Sequence, residues 1–238
     1  MIRDGEETMD VEKSVSRLQI LLQLNRMNGE ATDLVLGGFI EEAESMLADC
    51  IALGLQHMHR TSEFQDSPET KAFLAELPLQ DALLSDDCFI SDHVHEFGGF
   101  PLYSSLLGVY DDRIGNVRTM MAVVTYNLAL LYHGMGIADR NQTYLLKARE
   151  IYQIAYTCLP TVTRLLQPPG HDNESAVLMR LAVINNIGHL SYLLEDVERV
   201  QTCRSIMHDH LALLKPTSGT WFRNSVAQAM SGTHASAA

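Results

Sequence analysis

MAVVTYNLALLYHGMGIADRNQTYLLKAREIYQIAY, residues 121–156, decides the fold class. Its first part carries Tyr126, Asn127, Leu128, Ala129 and Tyr132, and its second carries Ala148, Tyr152, Ala155 and Tyr156, around a polar turn. Small residues one or two turns from a large aromatic let two helices approach closely and interlock. The stretch therefore predicts two antiparallel helices, one from near Asn116 to Met135 and one from about Gln142 to Leu166. Pro160 should kink or end the second.

Working outward, Val11, Val15, Leu18, Leu21, Leu22 and Met27 recur at helical spacing from Met9, behind an N-cap at Thr8 or Asp10. Asn28 to Leu55 reads as a helical hairpin. Ala31, Leu34 and Val35 mark its first helix, Gly37-Gly38 breaks it, and Glu41 to Ile51 form the second. The acidic start of that second helix suits the positive end of the helix dipole. A third hairpin is expected over Ala176–Leu194 and Val197–Leu214, with Glu195-Asp196 between. In residues 61–118 Pro68, Pro78 and Pro101 interrupt the pattern; a short helix at Glu69–Leu77 and an extended Phe100–Tyr110 are expected. Residues 167–175, with Pro168-Pro169-Gly170, read as a loop.

The expectation is a mainly α fold: one domain over residues 9–230, with hairpins at 28–55, 116–160 and 176–214, and frayed ends at 1–8 and 231–238. One small two-stranded pairing is added, Leu102–Val109 beside Phe222–Ala229, because bulky segments flanking a helical block need burial and backbone partners. Trp221 is expected to be at least partly buried there.

Composition narrows function by exclusion. Apolar residues make up 46% and charged residues 20%, which is globular rather than disordered. Residues 1–112 hold 22 acidic against 6 basic side chains, and residues 113–238 hold 8 against 11. A formal charge of −13 argues against nucleic acid, which needs a basic footprint. No secretory h-region is read at the N-terminus, and no uncharged apolar run approaches the roughly 20 residues of a membrane helix. Cys50, Cys88, Cys158 and Cys203 contain no Cys-x-x-Cys pair and read as reduced core thiols. An intracellular, cytoplasmic protein without membrane contact is expected.

Aligned on Ala31, Ala129 and Gly188, the hairpins share small positions. Ala43 and Val200 follow at twelve, and Cys50 and Met207 at nineteen. The central unit reaches Ala148 and Ala155 at nineteen and twenty-six, the same spacing after a seven-residue turn insertion. This grammar resembles the tetratricopeptide repeat. Tyr152 fills its aromatic slot, and Asn127-Leu128-Ala129 and Asn186-Ile187-Gly188 match its Asn-Leu-Ala/Gly element; Val200 and Arg204 depart from it. The arrangement also resembles a group of algal, diatom-type proteins of that kind, through Phe100-Pro101-Leu102-Tyr103, Phe222-Arg223-Asn224 and the Ala-rich end. That group brings no known activity.

The resemblance implies that the first helices line a concave peptide-binding face. Carried over, that face holds Val123, Tyr126, Asn127, Leu130 and His133, then Ala182, Asn185, Asn186, His189 and Tyr192. It has no Lys or Arg to hold a terminal carboxylate, whereas its amides, imidazoles and phenols suit a peptide backbone. Tyr126, Asn127, Leu130, His133, Asn185, Asn186, His189 and Tyr192 are the expected partner-binding residues, for a peptide or helix of a protein partner. Two other classes compete with this adaptor. One is a small metal-dependent enzyme using His93 and His95 with Asp92 or Glu96, if that stretch is a strand. The other is a self-associating structural subunit. His57/His59 and His208/His210 sit in expected helices, where residues two apart diverge. No catalytic residue, metal ligand or cofactor is assigned, since no phosphate loop, nucleophile elbow or Cys-His pairing stands out.

Overall fold

The computed structural model describes residues 4–60, 96–97, 100–104, 106–107, 117–159, 172–214 and 222–223. They are mainly helical. The helices are α1 (Asp4–Leu36), α2 (Ile40–Arg60), α3 (Val117–Ala138), α4 (Gln142–Cys158), α5 (Asp172–Leu193) and α6 (Val197–Leu211). Contacts group the chain into two compact units. One is Met1–Asp87 with Leu107–Val124, and the other is Cys88–Leu106 with Thr125–Ala238. The expected helix at Glu69–Leu77, the loop up to residue 171, Pro160 and Trp221 lie outside the described residues.

In the first unit, α1 runs unbroken through Met27 and Asn28, where separate helices were expected. Gly29 costs a helix interior about 1 kcal/mol relative to alanine, which is too little to end it here. Ile20, Leu24, Asn28 and Ala31 form one buried stripe, and the Asn28 amide donates to Leu107 O at 3.0 Å, giving this stretch a reason to stay helical. The helix also starts at Asp4, earlier than the expected Met9. α2 buries Ile40, Ala43, Leu47, Cys50, Ile51 and Met58, the 3.6-residue stripe of a core-facing helix. Cys50 Sγ meets Leu24 O at 3.5 Å, so α2 runs back along α1. Burial pushes the Cys50 thiol up to about 12 and the Cys203 thiol up to about 11. Both are inert core thiols.

In the second unit, α4 returns along α3, with Tyr126 against Tyr152 at 5.5 Å and Tyr132 against Tyr144 at 6.1 Å between ring centroids. A Cβ at Gly136 would stand 2.5 Å from a Leu145 methyl, so glycine permits the close approach near that turn. α6 returns along α5, where Arg180 donates to His210 Nε2 at 3.3 Å. The Arg180 guanidinium also donates to Leu159 O at 3.3 Å and lies 4.1 Å from the Tyr156 ring centre, joining α4, α5 and α6. α3 buries every residue from Thr125 to His133, and α5 is buried nearly all round from Ala176 to Ser191. A helix apolar on all sides is one with neighbours on all sides. α3 is thus long and apolar enough to cross a membrane, contrary to the expectation from composition, but 89% of its most apolar window is buried inside the fold.

One turn is used three times. Gly38, Arg140 and Glu195 all have positive φ, at 81°, 50° and 57°. After each, the next N–H reaches back five residues: Phe39 to Leu34 O at 2.9 Å, Asn141 to Gly136 O at 3.0 Å, and Asp196 to Ser191 O at 2.8 Å. This left-handed closure ends a helix by satisfying its orphan carbonyls. Asn141 and Asp196 then cap the following helix, accepting from Thr143 N at 2.9 Å and Arg199 N at 3.2 Å. Because the three turns are equally long, the seven-residue insertion expected in the central unit does not exist. Counting from the turns, His133 takes the place of Ala31 and Gly188, Leu145 that of Ala43 and Val200, and Tyr152 that of Cys50 and Met207. All nine are buried. The alignment on Ala129 was one helical turn out of step.

The expected strand at Phe222–Ala229 is not found at its described residues, since Phe222 and Arg223 are helical. The extended pairing among the described residues is instead local: Glu96 opposite Pro101 and Phe97 opposite Phe100, antiparallel. Phe222 still meets this region, with its buried ring 5.3 Å from that of Tyr103.

Candidate functional site

The second unit holds a polar cluster built on α3, α4 and α5. Asn186, on α5, is fully buried, and its side chain faces the backbone of Tyr103. Its Oδ1 accepts from Tyr103 N–H at 3.0 Å and its Nδ2 donates to Tyr103 O at 3.0 Å. A residue that offers its N–H and C=O to one partner side by side is extended, as in a hydrogen-bonded strand pair. The amide therefore acts as a one-residue strand.

Its neighbours hold it in that orientation. Nδ2 also meets the hydroxyls of Tyr126 at 3.1 Å and Tyr152 at 3.0 Å, while Asn185 Nδ2 donates to Oδ1 at 3.2 Å. The Tyr126 hydroxyl donates to Tyr103 O at 2.9 Å. Burial pushes both phenols well up from their ordinary values, and the Asn186 bond only partly offsets this. They stay neutral and serve as hydrogen-bonding groups rather than as bases or nucleophiles.

Three residues upstream, Phe100 is fully buried. A Cβ on Gly188 would lie 2.9–3.1 Å from its ring atoms, so a glycine is needed two residues along α5 from the gripping amide. The Arg204 guanidinium lies 5.8 Å from the ring centre. Leu102 is buried between the aromatic and the gripped residue.

Beside this cluster His133 Nε2 and His189 Nδ1 stand 2.9 Å apart, both rings fully buried. One ring donates and the other accepts. Burial, and then His189, hold the His133 imidazole well below its ordinary value. Its Nδ1 finds no hydrogen-bond partner among the described residues, and its ring meets Tyr152 edge-on at 6.0 Å. His210 forms a separate structural cluster. Its Nδ1 binds Ile206 O at 2.8 Å, leaving Nε2 to accept from Arg180.

Of the expected partner-binding residues, Tyr126, Asn127, Leu130, His133, Asn185, Asn186 and His189 are buried, and Tyr192 is 43% exposed. The face is not open. At Tyr126 and Asn186 the chain's own Tyr103 backbone lies against it. The structure brings Tyr126, Asn185 and Asn186 together on that segment and pairs His133 with His189. Sequence reasoning did not place Phe100, Tyr103, Tyr152, Gly188 and Arg204 in the site. Its signals were the bulky Phe-Pro-Leu-Tyr run and the small residue at 188. Asp92, His93 and His95 lie outside the described residues, and among the described residues no three His, Cys, Asp or Glu side chains converge as metal ligands. His208 is exposed and His210 buried, as residues two apart on a helix must diverge. Compared with protein-family models, curated proteins and solved structures, the chain matches none.

Proposed function

We propose that this chain is a protein-interaction adaptor of tetratricopeptide-like type, in which first helices α3 and α5 grip an extended peptide of a protein partner. The observation that carries the reading is the two-bond hold of the Asn186 amide on one backbone residue. Such a hold reads main chain without regard to the side chain, which is what a peptide receptor needs. Repetition supports it too: the same turn and the same buried register recur in three helix pairs.

A photo-crosslinking amino acid at exposed Tyr192 on α5, with a control at exposed Leu146 on α4, tests the reading in extracts of the native cell. The expected result is a discrete protein captured from position 192 and not from 146. Capture from 146 alone, or none from either, overturns it.

A further inference from the structure

The groove's fittings define a ligand more narrowly than "a peptide". There is one deep aromatic seat, floored by Gly188 with Arg204 facing the ring, and one backbone grip at Asn186. The two are filled by residues three apart in sequence, Phe100 and Tyr103. The grip consumes an N–H, so the gripped residue cannot be proline. The residue between them at Leu102 is buried, which favours an aliphatic side chain there.

We propose that this groove selects an extended segment of the pattern aromatic-x-aliphatic-x, with a free backbone N–H at the last position. Phe100–Tyr103 is its resident copy, which a partner protein's segment of the same pattern replaces. The proposal rests on the adaptor reading and adds to it both a specificity and a competition. It follows from what is seated in the groove: a segment held through its main chain and one ring is held by contacts that any chain of that pattern can reproduce. A segment tethered to its own groove acts at an effective concentration on the order of millimolar, so an equal competitor in trans binds the intact chain weakly. Removing the resident ring should open the seat.

The test uses a fluorescent peptide with the sequence of residues 98–106, GGFPLYSSL, titrated onto the full chain and onto its Phe100→Ala variant by anisotropy. Binding to Phe100→Ala should be at least tenfold tighter than to the unaltered chain and should raise that variant's Tm. Replacing the peptide's phenylalanine by alanine, or N-methylating its tyrosine amide, should each weaken binding at least tenfold. A Phe100→Ala chain with native circular dichroism that binds no peptide at millimolar concentration overturns the proposal, as does equal binding of the three peptides. Should Phe100→Ala not fold, hydrogen exchange of the Tyr103 amide in the unaltered chain decides. Acceleration by millimolar peptide supports displacement of the resident, and an unchanged rate refutes it. A concentration-dependent dimer that swaps this segment refutes it too, in favour of a second copy as occupant. Failure here with capture still occurring from position 192 would remove the specificity and leave the adaptor reading standing.

Discussion

Replacing Asn186 by leucine keeps the branched shape of the side chain and removes all of its polar atoms. Tyr103 N–H then loses its acceptor, Tyr103 O keeps the Tyr126 hydroxyl, and Tyr126 and Tyr152 lose a shared donor. A buried donor stripped of its acceptor costs about 1–3 kcal/mol, and each of the weakened contacts about 0.5–1.5 kcal/mol. Because the phenols and the carbonyl retain other partners or can turn, the total should be about 3–5 kcal/mol. That is a large share of the roughly 5–15 kcal/mol of a typical domain, yet leaves a folded baseline. Tyr152→Phe removes one of three oxygens facing Nδ2 and should cost about 1 kcal/mol. Urea unfolding followed by far-ultraviolet circular dichroism measures both, and hydrogen exchange at the Tyr103 amide locates the loss. A leucine variant within 0.5 kcal/mol of the parent, or less harmful than Tyr152→Phe, would refute the idea that this amide organises the unit.

Gly188→Ala drives a methyl into the Phe100 ring and should cost about 1–3 kcal/mol, with part recovered in the Gly188→Ala/Phe100→Leu double variant, as a double-mutant cycle will show. At the repeated turn, Gly38→Ala should lose about 1 kcal/mol, whereas Arg140→Gly and Glu195→Gly should each gain about 0.5 kcal/mol by relieving a left-handed side-chain-bearing residue; thermal melts give all three signs. His133 is held well below the ordinary imidazole value of 6.5, and His210 below it too, so below that pH the unfolded chain binds protons that the folded chain refuses. Stability is therefore complete above about pH 6.5 and falls as the solution is acidified, by up to about 1.4 kcal/mol per pH unit for each imidazole. Denaturant midpoints from pH 8 to pH 5 should show the fall, with a shallower slope in His133→Asn.

Helical character was legible because apolar spacing survives any error of register. The stripe Ile40, Ala43, Leu47, Cys50, Ile51 and Met58 is the same stripe whichever residue is counted first. Register itself was hidden. Left-handed turns usually announce themselves by glycine, as at Gly38, but Arg140 and Glu195 carry no such mark. Alignment on small residues then slipped by four, from His133 to Ala129, because positions one helical turn apart look alike. The candidate site was half legible for a similar reason. Its helical residues followed from the repeat pattern, and Phe100–Tyr103 was read as extended. What covered that segment could not be read, because a side-chain amide can stand in for a strand, and nothing in the composition of α5 says which asparagine does so.

The Glu195 turn is the zero mark from which α5 is indexed. Asn186 lies nine residues before it, along a rod that advances one full revolution every 3.6 residues. A single residue added to or removed from that arm would swing the amide through about 100°, off Tyr103 and onto a neighbouring flank. Substitutions along the arm change how well the groove is made, while a change of length removes the groove from its place. The nine-residue arm should accordingly reject any change in the number of its residues.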